Sequence, residues 1–148
     1  MSTSVVESKK ASSFTQLVFQ GAIAGLAGGV VFGIMMGMMG MLPMIGMLVR
    51  QDSAAVGFIV HMAISAFIGI VYRVAIDRIA NTLPLALIGG VVNGVVWWIL
   101  GALLLMPLML GMSEMVLVVG QDQWLSLLGH IIFGMVAALV VFALRRNN

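Results

Sequence analysis

The chain contains two similar stretches, and this internal similarity limits the folds it can adopt. The segment GGVVFG at residues 28–33 recurs as GGVVNG at residues 89–94. In each half an apolar run follows and leads to a proline near methionine and glycine, at Pro43 and Pro107. Each half then reaches one of the only two histidines in the chain, His61 and His130. We interpret this pattern as a tandem repeat, which would place the two histidines opposite one another.

The composition indicates a membrane protein. Apolar residues make up 62%, charged residues make up 8%, and the mean hydropathy is +1.20, whereas about a quarter of a soluble domain is charged. A helix needs about 20 apolar residues to cross the hydrocarbon core. Four segments meet this requirement, at about 17–42, 54–76, 84–108 and 124–144.

Short connections make neighbouring helices antiparallel, so we predict an all-α, polytopic bundle of four transmembrane helices built from two tandem hairpins. The expected organisation is a flexible cytoplasmic N-terminus at 1–16 and a membrane domain at 17–145. Within that domain, repeat one is expected at about 17–80 and repeat two at about 84–145. Each repeat holds two helices, so both enter the membrane in the same direction and are related by an axis along its normal.

The distribution of cations predicts the orientation. Arg50 lies on one side of the predicted spans, and the other lysines and arginines lie on the opposite side. Since cytoplasmic loops are enriched in lysine and arginine, we expect a multi-pass protein of the cell (inner) membrane with both termini cytoplasmic. Arg73, inside the second span, is expected to extend to the inner interface beside Asp77.

Small residues at a spacing of four predict close helix packing. Glycines at this spacing allow helix backbones to approach each other in lipid. The first helix carries an unbroken glycine ladder of this kind, and the longer ladder favours association with another copy or a larger complex. The third helix carries a shorter version, in which Trp97 and Trp98 are expected to fill volume. The predicted packing residues are Gly21, Gly25, Gly29, Gly33, Gly37, Gly90, Gly94, Ser65, Gly69 and Gly134.

The two histidines are the main candidates for chemistry, because ionisable groups inside a bilayer are functional candidates. One interpretation is structural, with each neutral imidazole bonding across a helix pair. Another is a ligand pair for haem b or copper, since imidazole binds haem iron axially and thioethers suit copper(I). The candidate ligands are His61, His130, Met38, Met39, Met41, Met44, Met106 and Met109.

The combination of a glycine-rich first helix, a Met-Pro-Gly stretch and a histidine opening the next helix, present twice, resembles small bacterial four-helix membrane proteins of uncharacterised families. The matching positions run from about residue 21 to residue 141. The resemblance implies the fold and carries no activity with it.

The sequence contains no carboxylate pair in its spans and no phosphate-binding loop with a lysine, so we predict a non-enzymatic protein. Its net charge of +2 gives no reason to expect nucleic acid as a partner. The leading hypothesis is a small subunit or self-associating component of a membrane complex, in contact with the lipid bilayer. A haem or copper protein is the first alternative, and a small pore or carrier is the second.

Overall fold

The computed structural model describes residues 12–79 and 81–146. It confirms an all-α bundle with four helices long and apolar enough to cross a membrane. Of the predicted N-terminal segment, residues 1–11 lie outside the described residues. The helices are α1 (Phe14–Met38), α2 (Leu42–Gly46), α3 (Ala54–Ile76), α4 (Leu83–Trp97), α5 (Met106–Met109) and α6 (Gln121–Arg146). A π-helical segment, Trp98–Leu105, joins α4 to α5, so that Leu83–Met109 forms one span.

The first span begins and ends earlier than predicted. Ser13 caps its start at Phe14, accepting a hydrogen bond on Oγ from the Gln16 N–H at 3.2 Å. Its end comes before Pro43, because Gly40 adopts a left-handed φ of 68° and closes the helix. The N–H of Met41 then donates to the Met36 carbonyl at 2.9 Å, as in a Schellman motif. Pro43 lies beyond this end, in the first turn of α2.

The third span continues through Pro107 with a local change in its hydrogen bonding. Proline has no N–H, so the Leu103 carbonyl lacks the partner that residue 107 would supply in an α-helix. The third loop supplies one, because the Leu117 N–H donates to the Leu103 carbonyl at 2.9 Å. This bond fixes the loop alongside the span and satisfies a carbonyl where lipid offers no donor. The span ends where Gly111 adopts a φ of 73°.

The bundle is organised around α1, of which half the most apolar window is buried. The α1 helix packs against α3 and α6, α4 packs against α6, and α3 meets α4 over a smaller area. A hydrogen bond links α3 to α4, because the Tyr72 hydroxyl donates to the Ala86 carbonyl at 2.7 Å. A cluster of buried apolar side chains lies between the helices. It contains Phe32, Met36, Ile45, Ile68 and Phe133.

The glycine ladder is used within the chain. A Cβ at Gly25 would overlap the Ser65 carbonyl oxygen, and one at Gly21 or Gly29 would also meet α3. The second hairpin contains the same kind of contact, with Gly90 against the Gly134 backbone and Gly94 against the His130 carbonyl. These close approaches explain why glycine stands at these positions. Gly37 differs, because its only close neighbour is the Leu42 side chain at 3.5 Å.

One end of the bundle carries Arg73, Arg78, Arg145 and Arg146, and we call it the arginine end. Arg73 is 0% exposed there, and its guanidinium points towards the ends of the spans, where Nη2 donates to Ser12 Oγ at 3.4 Å. Its predicted contact with Asp77 is confirmed, with Nη1 2.6 Å from Oδ1. The Arg73 Nε also donates to Gln20 Oε1 at 2.9 Å. Arg73 therefore remains buried because side chains of the bundle replace its hydration.

The opposite end, which we call the loop end, contains α2 and the single helical turns Met47–Val49 and Ser113–Met115. A Cβ at Gly57 on α3 would overlap the Leu42 carbonyl oxygen, so α2 packs directly on α3. The first loop is therefore folded against the bundle.

Candidate functional site: the histidine–phenylalanine cluster

His61 lies on the face of α3 that packs against α1. Its imidazole is 7% exposed. Nε2 lies 2.9 Å from the Gly29 carbonyl oxygen, and since a carbonyl only accepts, Nε2 carries the proton and donates. Ser65 Oγ lies further away, at 3.4 Å from the same nitrogen. This geometry is possible because Gly29 and Gly33 have no side chains to hold α1 away from the imidazole.

His130 is held from within its own helix. Its Nδ1 donates to the carbonyl of Ser126, one turn earlier in α6, at 2.7 Å. The Ser126 hydroxyl oxygen lies 3.4 Å from the same nitrogen. The side chain is partly buried. In both histidines one nitrogen is bound to a backbone carbonyl, and the other, Nδ1 of His61 or Nε2 of His130, has no hydrogen-bond partner among the described residues.

Phe32 of α1 brings the two histidines together. Its ring centroid lies 5.4 Å from that of His61 and 4.8 Å from that of His130, and both contacts are edge-to-face. Phe32 is 6% exposed and packs against α6 at Gly129, where a Cβ would overlap its ring. Two imidazoles that contact one phenyl ring lie at the same level of the bundle. We call Phe32, His61 and His130 the histidine–phenylalanine cluster.

Phe32 was not among the predicted site residues, and no sequence pattern marked it. In the structure it lies three residues after Gly29, the helical neighbour that accepts the His61 hydrogen bond. In the repeat alignment Phe32 corresponds to Asn93, so the two halves differ at this position. The Nδ2 of Asn93 is a buried side-chain nitrogen without a hydrogen-bond partner in the described part of the chain.

The candidate methionines do not form one group. Met41 and Met106 pack against the buried cluster that contains Phe32. Met38 is 85% exposed, Met44 and Met109 are also exposed, and Met39 is partly buried. Two of the six candidate thioethers therefore pack against the apolar cluster that contains Phe32, and the other four are exposed or partly buried elsewhere.

The tryptophans do more than fill volume. The Trp98 indole N–H donates to the Gln123 carbonyl at 3.0 Å, in the first turn of α6. Its ring stacks on Trp124 with centroids 6.2 Å apart. Trp97 meets Phe67 of α3 edge-to-face at 5.8 Å. These contacts connect the third span to α3 and to the start of α6.

The buried polar groups lie at two separate levels. The histidine–phenylalanine cluster occupies one level, and Arg73 with Gln20 occupies the other, eight residues after Ser65 on α3. Between them Gly25 and Gly69 meet backbone to backbone. The described residues therefore provide no continuous polar path along the α1–α3 interface.

Comparison of the chain with protein-family models, with curated proteins and with solved structures finds no match.

Proposed function

We propose that this multi-pass membrane protein is a non-enzymatic subunit that associates with a second copy or a larger complex through the outer face of α4. The described chain leaves only short connections outside its helices, so a partner would meet it mainly in the bilayer. The helix that contains α4 is the least buried of the four spans, with 22% of its most apolar window buried. It presents an outward stripe at a spacing of four, which we call the α4 face: Ile88, Val92, Val96 and Leu100.

The observation that carries the proposal is the open glycine beside this stripe. A Cβ at Gly101 would meet no atom within 4 Å, whereas Gly21 and Gly25 are covered by the backbone of α3. Gly101 also lies in the π-helical segment Trp98–Leu105, and short π-helical segments occur frequently at functional sites. An outward glycine lets the backbone of a second helix approach closely, which is how helices associate in lipid. The glycine ladder of α1 does not support association, since it is covered within the chain.

Substitution of Gly101 by leucine tests the proposal. Gly101→Leu is expected to lower the associated fraction about tenfold in lipid nanodiscs or mild detergent, because the side chain would keep a second helix away. The associated fraction is measured by chemical crosslinking and by analytical sedimentation. Gly37→Leu is the matched control, since Gly37 is also an exposed helical glycine, where a Cβ would make only an ordinary contact with Leu42 at 3.5 Å. A wild-type chain that is monomeric in lipid, or equal losses in both variants, would contradict the proposal.

A second candidate function is binding of copper(I) by the histidine–phenylalanine cluster. The uncommitted Nδ1 of His61 and Nε2 of His130 are suitable donors, and each ring is oriented by a carbonyl in the manner of a metal-ligating histidine. In residues 12–79 and 81–146 no group of three or more histidine or acidic side chains could hold a metal ion. An ion at this cluster would thus rely on the two imidazoles.

Haem fits these residues poorly. Both imidazoles lie against the ring of Phe32, and α4 meets α6 backbone to backbone at Gly94 and His130. A flat macrocycle between the rings would have to displace Phe32 from a position where it is 6% exposed. Copper(I) needs only two donor atoms, so it requires a smaller rearrangement.

A copper(I) titration tests whether the histidine–phenylalanine cluster binds this ion. The wild-type chain is expected to bind one copper(I) ion against a competing chelator, and His61→Ala together with His130→Ala is expected to weaken binding by tenfold or more. Met38→Leu is the control, because Met38 is 85% exposed and should leave the affinity unchanged. Equal copper binding by the wild-type chain and a folded double variant would contradict this function.

A further inference from the structure

A groove opens at the arginine end between the start of α1 and the end of α3. Its volume is about 490 Å³. Phe14 and Leu17 line it from α1, and Val74 lines it from α3. Its polar groups are Ser12, Asp77 and Arg78. An apolar wall therefore lies beside charged and hydroxyl groups.

The position of the groove indicates where its occupant comes from. Phe14–Met38 and Ala54–Ile76 are both candidate membrane spans, and the groove lies where the first begins and the second ends. This is the boundary between hydrocarbon and headgroups. Phe14 is 71% exposed and Ile79 is 67% exposed, so the apolar wall is open to the surrounding bilayer. A bilayer lipid reaches such a groove without leaving the membrane.

The charges of the groove favour a phosphate group. Arg78 is exposed and forms no hydrogen bond or ion pair with another described residue. Asp77 does not compete with phosphate for Arg78, because the Asp77 carboxylate is paired with Arg73. The backbone carbonyl of Asp77 accepts a hydrogen bond from Arg145 Nη2 at 3.0 Å. The guanidinium of an arginine matches phosphate oxygens with two parallel hydrogen bonds. The Ser12 hydroxyl lies on the same groove, next to the positive N-terminal end of α1.

We propose that this groove binds an anionic phospholipid, with its phosphodiester on Arg78 and Ser12 and an acyl chain along Phe14, Leu17 and Val74. The preference for an anionic headgroup follows from the local charge, because four arginines face one aspartate at this end. Basic pockets between membrane helices bind such headgroups through the same combination of cation and apolar wall. The site is independent of the α4 face and of the histidine–phenylalanine cluster.

Native mass spectrometry of the full chain tests this assignment. The delipidated protein in detergent is titrated with phosphatidylglycerol, phosphatidylcholine or inorganic phosphate. We expect phosphatidylglycerol to be retained several-fold more than phosphatidylcholine. Arg78→Gln is expected to lower its retention about fivefold. Arg146→Gln is the matched control, since Arg146 is an exposed arginine at the same end that does not line the groove. It should change retention less than twofold.

A second variant distinguishes the contribution of the acyl chain to binding from that of the headgroup charge. Phe14→Ser is expected to weaken retention of both lipids, because it removes part of the apolar wall. Equal losses in Arg78→Gln and Arg146→Gln would overturn the proposal in favour of diffuse surface charge. Full competition by inorganic phosphate would overturn it in favour of a free anion. No retention of phosphatidylglycerol by the wild-type chain would overturn the proposal outright.

Discussion

Replacement of Asp77 by asparagine is expected to lower the free energy of unfolding by about 3 kcal/mol, the lower end for a broken buried ion pair. Arg73 is 0% exposed and would lose the carboxylate 2.6 Å from its Nη1. Its charge would then remain buried with Gln20 and Ser12 as its side-chain partners among the described residues. The lower end of the range applies because Asp77 itself is 23% exposed.

Unfolding in detergent, followed by circular dichroism, measures this effect. Asp52→Asn is the matched control, because it removes an exposed carboxylate near the loop end and should change stability by less than about 0.5 kcal/mol. Adding Arg73→Met to Asp77→Asn should restore part of the loss, since it removes the unpaired buried charge. Equal stability of Asp77→Asn and Asp52→Asn would show that the ion pair does not stabilise the bundle.

Replacement of Gly25 by alanine is expected to destabilise the α1–α3 pair by about 3 kcal/mol, at the upper end for overpacked cores. The added Cβ would overlap the carbonyl oxygen of Ser65 and would lie 3.0 Å from the Gly69 Cα. Backbone atoms within two helices cannot rotate away, so the helices must separate. The loss appears as a lower melting temperature of the single chain.

Gly37→Ala provides the comparison for this variant. Its Cβ would make only an ordinary contact with Leu42 at 3.5 Å, and alanine is favoured over glycine in a helix by about 1 kcal/mol. The variant is therefore expected to match or slightly exceed the wild-type stability. If Gly25→Ala changed oligomeric state without changing stability, the ladder would act between chains, in contradiction to the packing described above.

The sequence predicted that the glycines would pack closely against another helix, but it did not predict which helix that would be. Four-residue spacing on one helix places Gly21, Gly25 and Gly29 on a single stripe, whatever that stripe faces. Whether it faces a helix of the same chain or another chain depends on the relative rotation of the helices. The structure turns the stripe towards α3, which removes the original reason for expecting association through α1.

The histidine–phenylalanine cluster also depends on helix contacts that the sequence does not reveal. His61 and His130 were predicted to lie opposite one another, and both contact one ring. Phe32 was not predicted, because a phenylalanine in a lipid-spanning helix is equally suited to facing lipid or the core. Hydropathy does not separate the two environments within a membrane, where both are apolar.

By itself the sequence determined the number of spans and their antiparallel order. Apolar segments of about 20 residues must form helices in lipid, and short connections leave no other arrangement. Only the tertiary structure decided which helix faces meet and that Arg73 is fully buried. Those outcomes depend on contacts between residues distant in the chain, such as Arg73 with Gln20, which local composition and spacing do not encode.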